Sequence, residues 1–278
     1  MRTRLEITSL PGSERIASVH RGAGAQMDNL CGPYWASILL RAHGWAVTQE
    51  DVAVAAGTLL PSSGHATTWV PSGEPNRDTY GRSILRTTDP DASGTSIAGM
   101  QSGVSELSDD GFRFLPIRGR MGATIDGVAL ERLVDQLERH PAWRAAPILN
   151  LRVALLWGTK LSFDAAIAYL AGADVDEGEA PRPEWDVGHF VNVAGLVRGD
   201  ARAMLLLRDS YPSFGWDGYH LQPLEAIAAA IRRDDGREGG CLLFVPSEEA
   251  PAIERELKET GFEIGGWDNG TPYEGGTR

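Results

Sequence analysis

The chain has 278 residues, 42% of them hydrophobic and 23% charged, enough to bury a sizeable core at the upper end of single-domain size. Its 26 Lys and Arg against 38 Asp and Glu leave a formal charge of -12, spread along the chain, which argues against a nucleic-acid backbone or an anionic membrane surface as partner. No stretch nears the roughly 18–20 uninterrupted apolar residues of a membrane span and the first residues carry no signal-peptide run, so the expectation is a cytoplasmic protein whose two cysteines are thiols, not disulfide partners.

In chain order, the first strong signal is "CGPYWASILLRAHGW", which spaces Tyr34, Trp35, Ile38, Leu39 and Ala42 for a helix that Gly44 stops. A capping-box-like Thr48 and Asp51 opens a second, short helix ending at Gly57. Residues 59–94 are rich in Pro, Gly, Ser, Thr and Asp and read as a long surface excursion. "TSIAGMQSGVSELSDDG" follows as a helix capped by Thr95 or Ser96, and "FRFLPIRG" as a strand. "DGVALERLVDQLERH" is amphipathic, with Val128, Leu130, Leu133, Val134 and Leu137 expected toward a core.

The second half consists of apolar runs typical of strands, at 146–158, 188–197, 203–210 and 240–246. Between the first two lie a short helix and an acidic, Pro-containing loop, with 171–187 as a second candidate insertion. Helices first and strands later predict an α+β class. After residue 246 a helix over "SEEAPAIERELKETG" and a mobile, Gly-rich tail are expected, with the glycine pairs at 239–240, 265–266 and 275–276 read as turn and tail residues.

Three positions carry candidate chemistry. Cys31 stands ahead of Gly-Pro at the start of a helix, where free N–H groups and the macrodipole favour a thiolate, and Pro33 suits a first turn. His189 opens an otherwise apolar strand. Asp209 ends the next strand, where a carboxylate can accept from the imidazole, fix its tautomer and favour imidazolium. Each has a plainer reading as a buried thiol, a core histidine and a turn-initiating Asp. Cys241, inside "GCLLFV", reads as strand core, and His220 as a turn residue able to make a polar contact. The six histidines show no HExxH and no ligand-spaced cysteine pair, so neither a metal nor a cofactor is expected.

Together these segments resemble a family. "CGPYWA" is similar to the nucleophile segment of papain-like cysteine peptidases, and "CGP" before an apolar helix looks closest to the bacterial C39-like group. "GHFVNVAGLV" resembles that group's histidine strand, and "DSYPSFGWDGY" resembles the papain-type Asn-Ser-Trp-Gly segment with Asp for Asn. The resemblance implies a papain-like α+β fold over 1–246, with insertions around 59–94 and 171–187 and a helical half packed on a twisted antiparallel sheet. It assigns the nucleophile to Cys31, the proton carrier to His189 and the orienting carboxylate to Asp209. Gln26 would complete the oxyanion hole, although it sits one residue closer to the cysteine than is usual, and Asn29 is the other amide in reach. Tyr211 would shield the orienting bond, with Trp216 a further cleft candidate.

The implied reaction is acyl transfer through a Cys31 thioester on a peptide or small amide. Water as acceptor makes the chain a peptidase or amidase, and an amine acceptor makes it an acyltransferase or amide-forming enzyme. A papain-like scaffold acting only as a binding module is the alternative of another class.

Overall fold

The structure is a computed structural model that describes residues 4–63, 70–158, 161–175 and 185–273. Its central helix, α2 (Cys31–Ala42), is apolar on all sides, and every residue except Cys31 and Arg41 is buried. Such a helix has to be enclosed. Its neighbours are α1 (Ser13–Gly22), α3 (Gln49–Ala55) and α4 (Ile97–Leu107). Thr48 and Asp51 form the reciprocal capping box that starts α3, and Ser96 accepts from Gly99 N–H to start α4.

A large antiparallel sheet forms the middle layer. Its strands are β4 (Phe112–Arg118), β5 (Ala146–Arg152), β6 (Gly188–Arg198), β7 (Ala203–Arg208), β8 (Tyr219–Pro223), β9 (Gly240–Pro246) and β10 (Glu263–Ile264), in the spatial order β10-β4-β9-β5-β6-β7-β8. β1 (Glu6–Ser9) pairs with the outer end of β6, along the edge that β5 leaves open. Gly195 permits this approach at a bulge in β6, because a Cβ there would lie 2.2 Å from Thr8 O. A separate parallel pair joins β2 (Leu59–Pro61) to β3 (Leu85–Thr87).

Alternation along β9 shows how the sheet is covered. Leu242 and Phe244 pack with α2 and α4, whereas Cys241, Leu243 and Val245 face α5 (Gly127–Arg139), α7 (Leu224–Arg232) and α8 (Ala250–Glu259). The class is α+β, with helices on both faces and not only on the N-terminal side. A small cluster under α6 (Phe163–Leu170) covers Val197, Met204 and Leu221.

Three expectations change, and one helix was not foreseen. Val128 is 72% exposed, since Leu130, Leu133, Val134 and Leu137 define the buried stripe and Val128 lies roughly 200° round the helix from Leu130. The segment 59–94 is more than a surface excursion: Leu59, Leu60, Val70 and Ile84 are buried, and Asp28 and Arg77 exchange backbone and side-chain hydrogen bonds. Helix α7 was legible as Leu224, Ile227, Ala228 and Ile231 at helical spacing, although the strand-like context hid it. The C-terminal segment is packed over 265–273: Trp267 is 7% exposed, lies over Gly240 and donates to Asn150 Oδ1 at 3.2 Å, while Asn269 donates to Thr95 O at 2.9 Å. Residues 274–278, with their glycine pair, lie outside the described residues.

Trp267→Ala removes a core side chain and an Asn150 partner, and should cost about 3 kcal/mol or more in urea unfolding. An unchanged midpoint would mean that this segment does not hold the fold.

Candidate active site

The β6–β7 register pairs Asn192 with Arg208, which puts His189, near the start of β6, at the same sheet end as residues 209–211 just past β7. His189 and Asp209 are each 1% exposed, with His189 Nε2 3.1 Å from Asp209 Oδ1. The carboxylate can only accept, so Nε2 carries the proton and Nδ1 is the nitrogen left for the thiol. Tyr211 N–H donates to the same Oδ1 at 3.0 Å. Cys31, the first residue of α2, is half-buried, and its cleft includes His189.

Burial works against the imidazolium, but the Asp209 charge and hydrogen bond, followed by hydrogen bonding and charge interaction with Cys31, hold His189 well above its ordinary value. Burial would likewise raise Asp209, yet the charge and hydrogen bond of His189, and then the neighbouring His220, keep it below the usual carboxylate range. Each of the two groups therefore favours the charged form of the other. Cys241, in contrast, is enclosed in the core and burial pushes its thiol up.

A second histidine completes the site. His220, 1% exposed, has Nε2 3.6 Å from Asp209 Oδ2, and neither atom has another partner. Gln222 sets the tautomer: its Oε1 accepts from Trp157 N–H and its Nε2 donates both to Trp157 O and to His220 Nδ1. With Nδ1 accepting, the ring N–H lies on Nε2, facing Asp209. His220 is a positioning residue, and its spacing two residues before Gln222 on β8 is the signal that could have found it.

Gln26 is 2% exposed and fixed at both ends of its amide, with Oε1 accepting from Ser210 Oγ and Nε2 donating to Tyr211 Oη at 2.9 Å. One N–H of that amide remains for the cleft. The N–H of Cys31, at the first turn of α2, is a second free donor of the kind an oxyanion requires. Asn29 also lines the cleft, on a left-handed backbone at φ 61°, without the anchoring that Gln26 has.

Tyr211 is fully buried and lies 5.8 Å from the His189 ring. Trp185 stands 5.1 Å from the same ring at 65° and closes its other approach. Trp216 does not reach the site: the tight turn through Asp217 and Gly218 pairs it with Tyr219 and leaves it 45% exposed. The indole that does stand there is Trp185, from the 171–187 segment, of which 176–184 lie outside the described residues.

The cleft is about 450 Å³. It is lined by Cys31, His189 and Gln26 and, from segments remote in sequence, by Pro90, Asp91 and residues 93–95 and by Asn269 and Thr271. Among the described residues no group of three or more His, Cys, Asp or Glu is placed to hold a metal ion, and no helix is long and apolar enough to cross a membrane.

Compared with known proteins, the chain matches a family of unknown function (DUF6885) over residues 10–268, and it belongs to that family. The match runs through α8 and Trp267, so it does not stop at residue 246. No curated protein matches the chain.

Two outcomes follow from the site. Alkylation by iodoacetamide at pH 6–7, followed by peptide mass spectrometry, should label Cys31 at least tenfold faster than Cys241. His189→Ala should abolish that advantage, His220→Phe should reduce it, and His220→Gln, which keeps an N–H donor, should recover part of it; equal rates for both cysteines would reject an activated thiol. The second concerns stability. Asp209, depressed in the fold, contributes above its ordinary value of 3.8 and loses that contribution as pH falls; His189, raised, contributes fully below 6.5 and loses it as pH climbs through its raised value. The stability difference between wild type and Asp209→Asn should therefore be greatest between about pH 4 and 6.5 and shrink on both sides, read from thermal unfolding; a pH-independent difference would reject the ion pair.

Proposed function

We propose that this member of the DUF6885 family is a cysteine-dependent acyl-transfer enzyme of papain-like, C39-like type that hydrolyses an amide bond in a peptide or small amide. The observation that carries the reading is the joint placement of Cys31 at the head of a buried helix, His189 between that thiol and Asp209, and two free N–H donors at the same cleft.

In the first half-reaction Cys31 Sγ attacks the acyl carbon and an S–C bond forms. The carbonyl π pair moves to oxygen, where the Gln26 amide and the Cys31 N–H receive it. The C–N bond then breaks, and His189 gives the former thiol proton to the departing nitrogen. In the second half, His189 takes a proton from water as its oxygen attacks the thioester carbon. The S–C bond breaks with its electron pair going to sulfur, the acid leaves, and the proton taken from water stays with His189 and Cys31. Asp209 holds Nε2 throughout, so Nδ1 stays aimed at the reacting atoms. An amine in place of water would give acyl transfer by the same steps. The proposed setting is the cytoplasm.

The test is to trap the acyl-enzyme. Incubation with activated acyl esters and a peptide library, quenched in acid, should add the acyl mass to the Cys31 peptide and nowhere else. Cys31→Ala should give no adduct, and His189→Ala should slow turnover by at least about a thousandfold. Absence of any Cys31 adduct across the set would remove the proposal. Added amines would then separate hydrolysis, which releases only free acid, from transfer.

A further inference from the structure

One side chain in the cleft is held at a cost that the mechanism above does not explain. Arg233 follows the last turn of α7 with φ 61° and ψ 173°, a backbone region essentially restricted to glycine. Glycine would relieve the strain, yet an arginine stands there. Its guanidinium is 2% exposed and still lines the cleft. Nε and Nη2 fork onto the two carboxylate oxygens of Asp235, which also accepts from Arg237 N–H, so the fork cannot swing.

Nη1 is the nitrogen left over. It makes no hydrogen bond among the described residues, and it packs on Gly188, where a Cβ would lie 3.0 Å from it. Gly188 immediately precedes His189. Of the other arginines lining the cleft, Arg152 gives Nε and Nη2 to Asp186 and Nη1 to Asp234, and Arg237, whose side chain is 32% exposed, donates through Nη2 to Asp91 O. Among the described arginines lining the cleft, only Arg233 combines a buried side chain with a nitrogen that makes no hydrogen bond.

We propose that Arg233 is a specificity-determining residue whose Nη1 binds a carboxylate carried by the leaving amine, so that the preferred bond is an amide made by the α-amine of a free amino acid or of a peptide's last residue. The inference rests on the acyl-transfer reading. In that reading Gln26 and the start of α2 take the carbonyl oxygen, and His189 delivers a proton to the departing nitrogen. Whatever the nitrogen carries must therefore lie on the His189 and Gly188 side, against Nη1. Asp235 offsets much of the guanidinium charge, so discrimination comes from two directed donors more than from a long-range field. A substrate lacking the acceptor leaves a buried donor pair unmatched, which is the stronger form of selectivity.

The full chain can be tested without knowing its substrate, using N-bromoacetyl-leucine and N-bromoacetyl-leucinamide. In both, Cys31 Sγ attacks the methylene, an S–C bond forms, the C–Br bond breaks and bromide leaves with the electron pair; the thiol proton passes through His189 to solvent. The amino acid then lies where a leaving amine would. Labelling rates at Cys31 are divided by the iodoacetamide rate of the same variant, and the acid-to-amide ratio is compared with that of free cysteine. Wild type should favour the acid about tenfold beyond the free thiol, saturably, and Arg233→Gln should return the ratio to the free-thiol value. Gly188→Ala, which crowds Nη1 and leaves the guanidinium in place, should lower it too and carries the comparison if Arg233→Gln does not fold. A wild-type ratio equal to free cysteine, or an acid preference that survives both substitutions, would overturn the assignment. Slow labelling of Cys31 by iodoacetamide would instead remove the acyl-transfer reading, which keeps the two failures apart.

Discussion

The buried pair of Asp209 and His189 is the constraint around which the rest of the site is arranged. Two ionisable groups that are both 1% exposed are tolerable only where they are paired, because the desolvation of either one alone would go uncompensated. Asp209 receives His189 and the Tyr211 N–H on one oxygen and faces His220 with the other. Holding that arrangement requires a fixed register between β6 and β7. Arg208 supplies much of it: its Nη1 donates to Asn192 Oδ1 at 2.7 Å across the strand pair, and Nε donates to the Tyr219 hydroxyl on β8 at 2.9 Å. Burial lowers Arg208, and its remaining donors go to Ser13 at the start of α1, so the first helix is tied to the same strands.

The walls of the cleft come from segments far apart in sequence. The 59–94 segment docks through Asp28 and Arg77 and presents Pro90, Asp91 and residues 93–95, and the C-terminal segment lies beside them through Asn269 and Thr271. Glu74 adds a link to the sheet end, accepting from Ser213 N–H at 3.2 Å. Without these segments Cys31 and His189 would face solvent. With them the cluster sits in a recess, a drier, lower-dielectric setting in which the proposed oxyanion donors would act more strongly. Stability and chemistry share parts here, since Trp267 anchors a cleft wall by filling the core under α2.

Much of the fold was readable because its signals are local. The enclosed α2, the capping box of α3 and the apolar runs of β5, β6, β7 and β9 each express a period or cap within a dozen residues. Helix α7 had the same kind of signal but stood among strands, and Val128 was misplaced because hydrophobicity alone does not say which side of a stripe a residue falls on. The packed C-terminal segment escaped for a different reason. Glycine-rich sequence has no periodicity, and its anchoring depends on one tryptophan finding the space over Gly240 on another strand.

By itself, the sequence determined the chemical inventory and its order: a thiol at the start of a helix, a histidine opening a strand, a carboxylate closing the next, and an amide upstream. Those follow from residue type and neighbouring residues. Only the tertiary structure decided which atoms meet. Strand register chose His189 Nε2 for Asp209, the turn at Asp217 and Gly218 sent Trp216 outward, Trp185 came in from the segment before β6, and His220 and Arg233 arrived from β8 and the end of α7. Contacts of that kind depend on distances through space between residues remote in the chain, which no local pattern encodes.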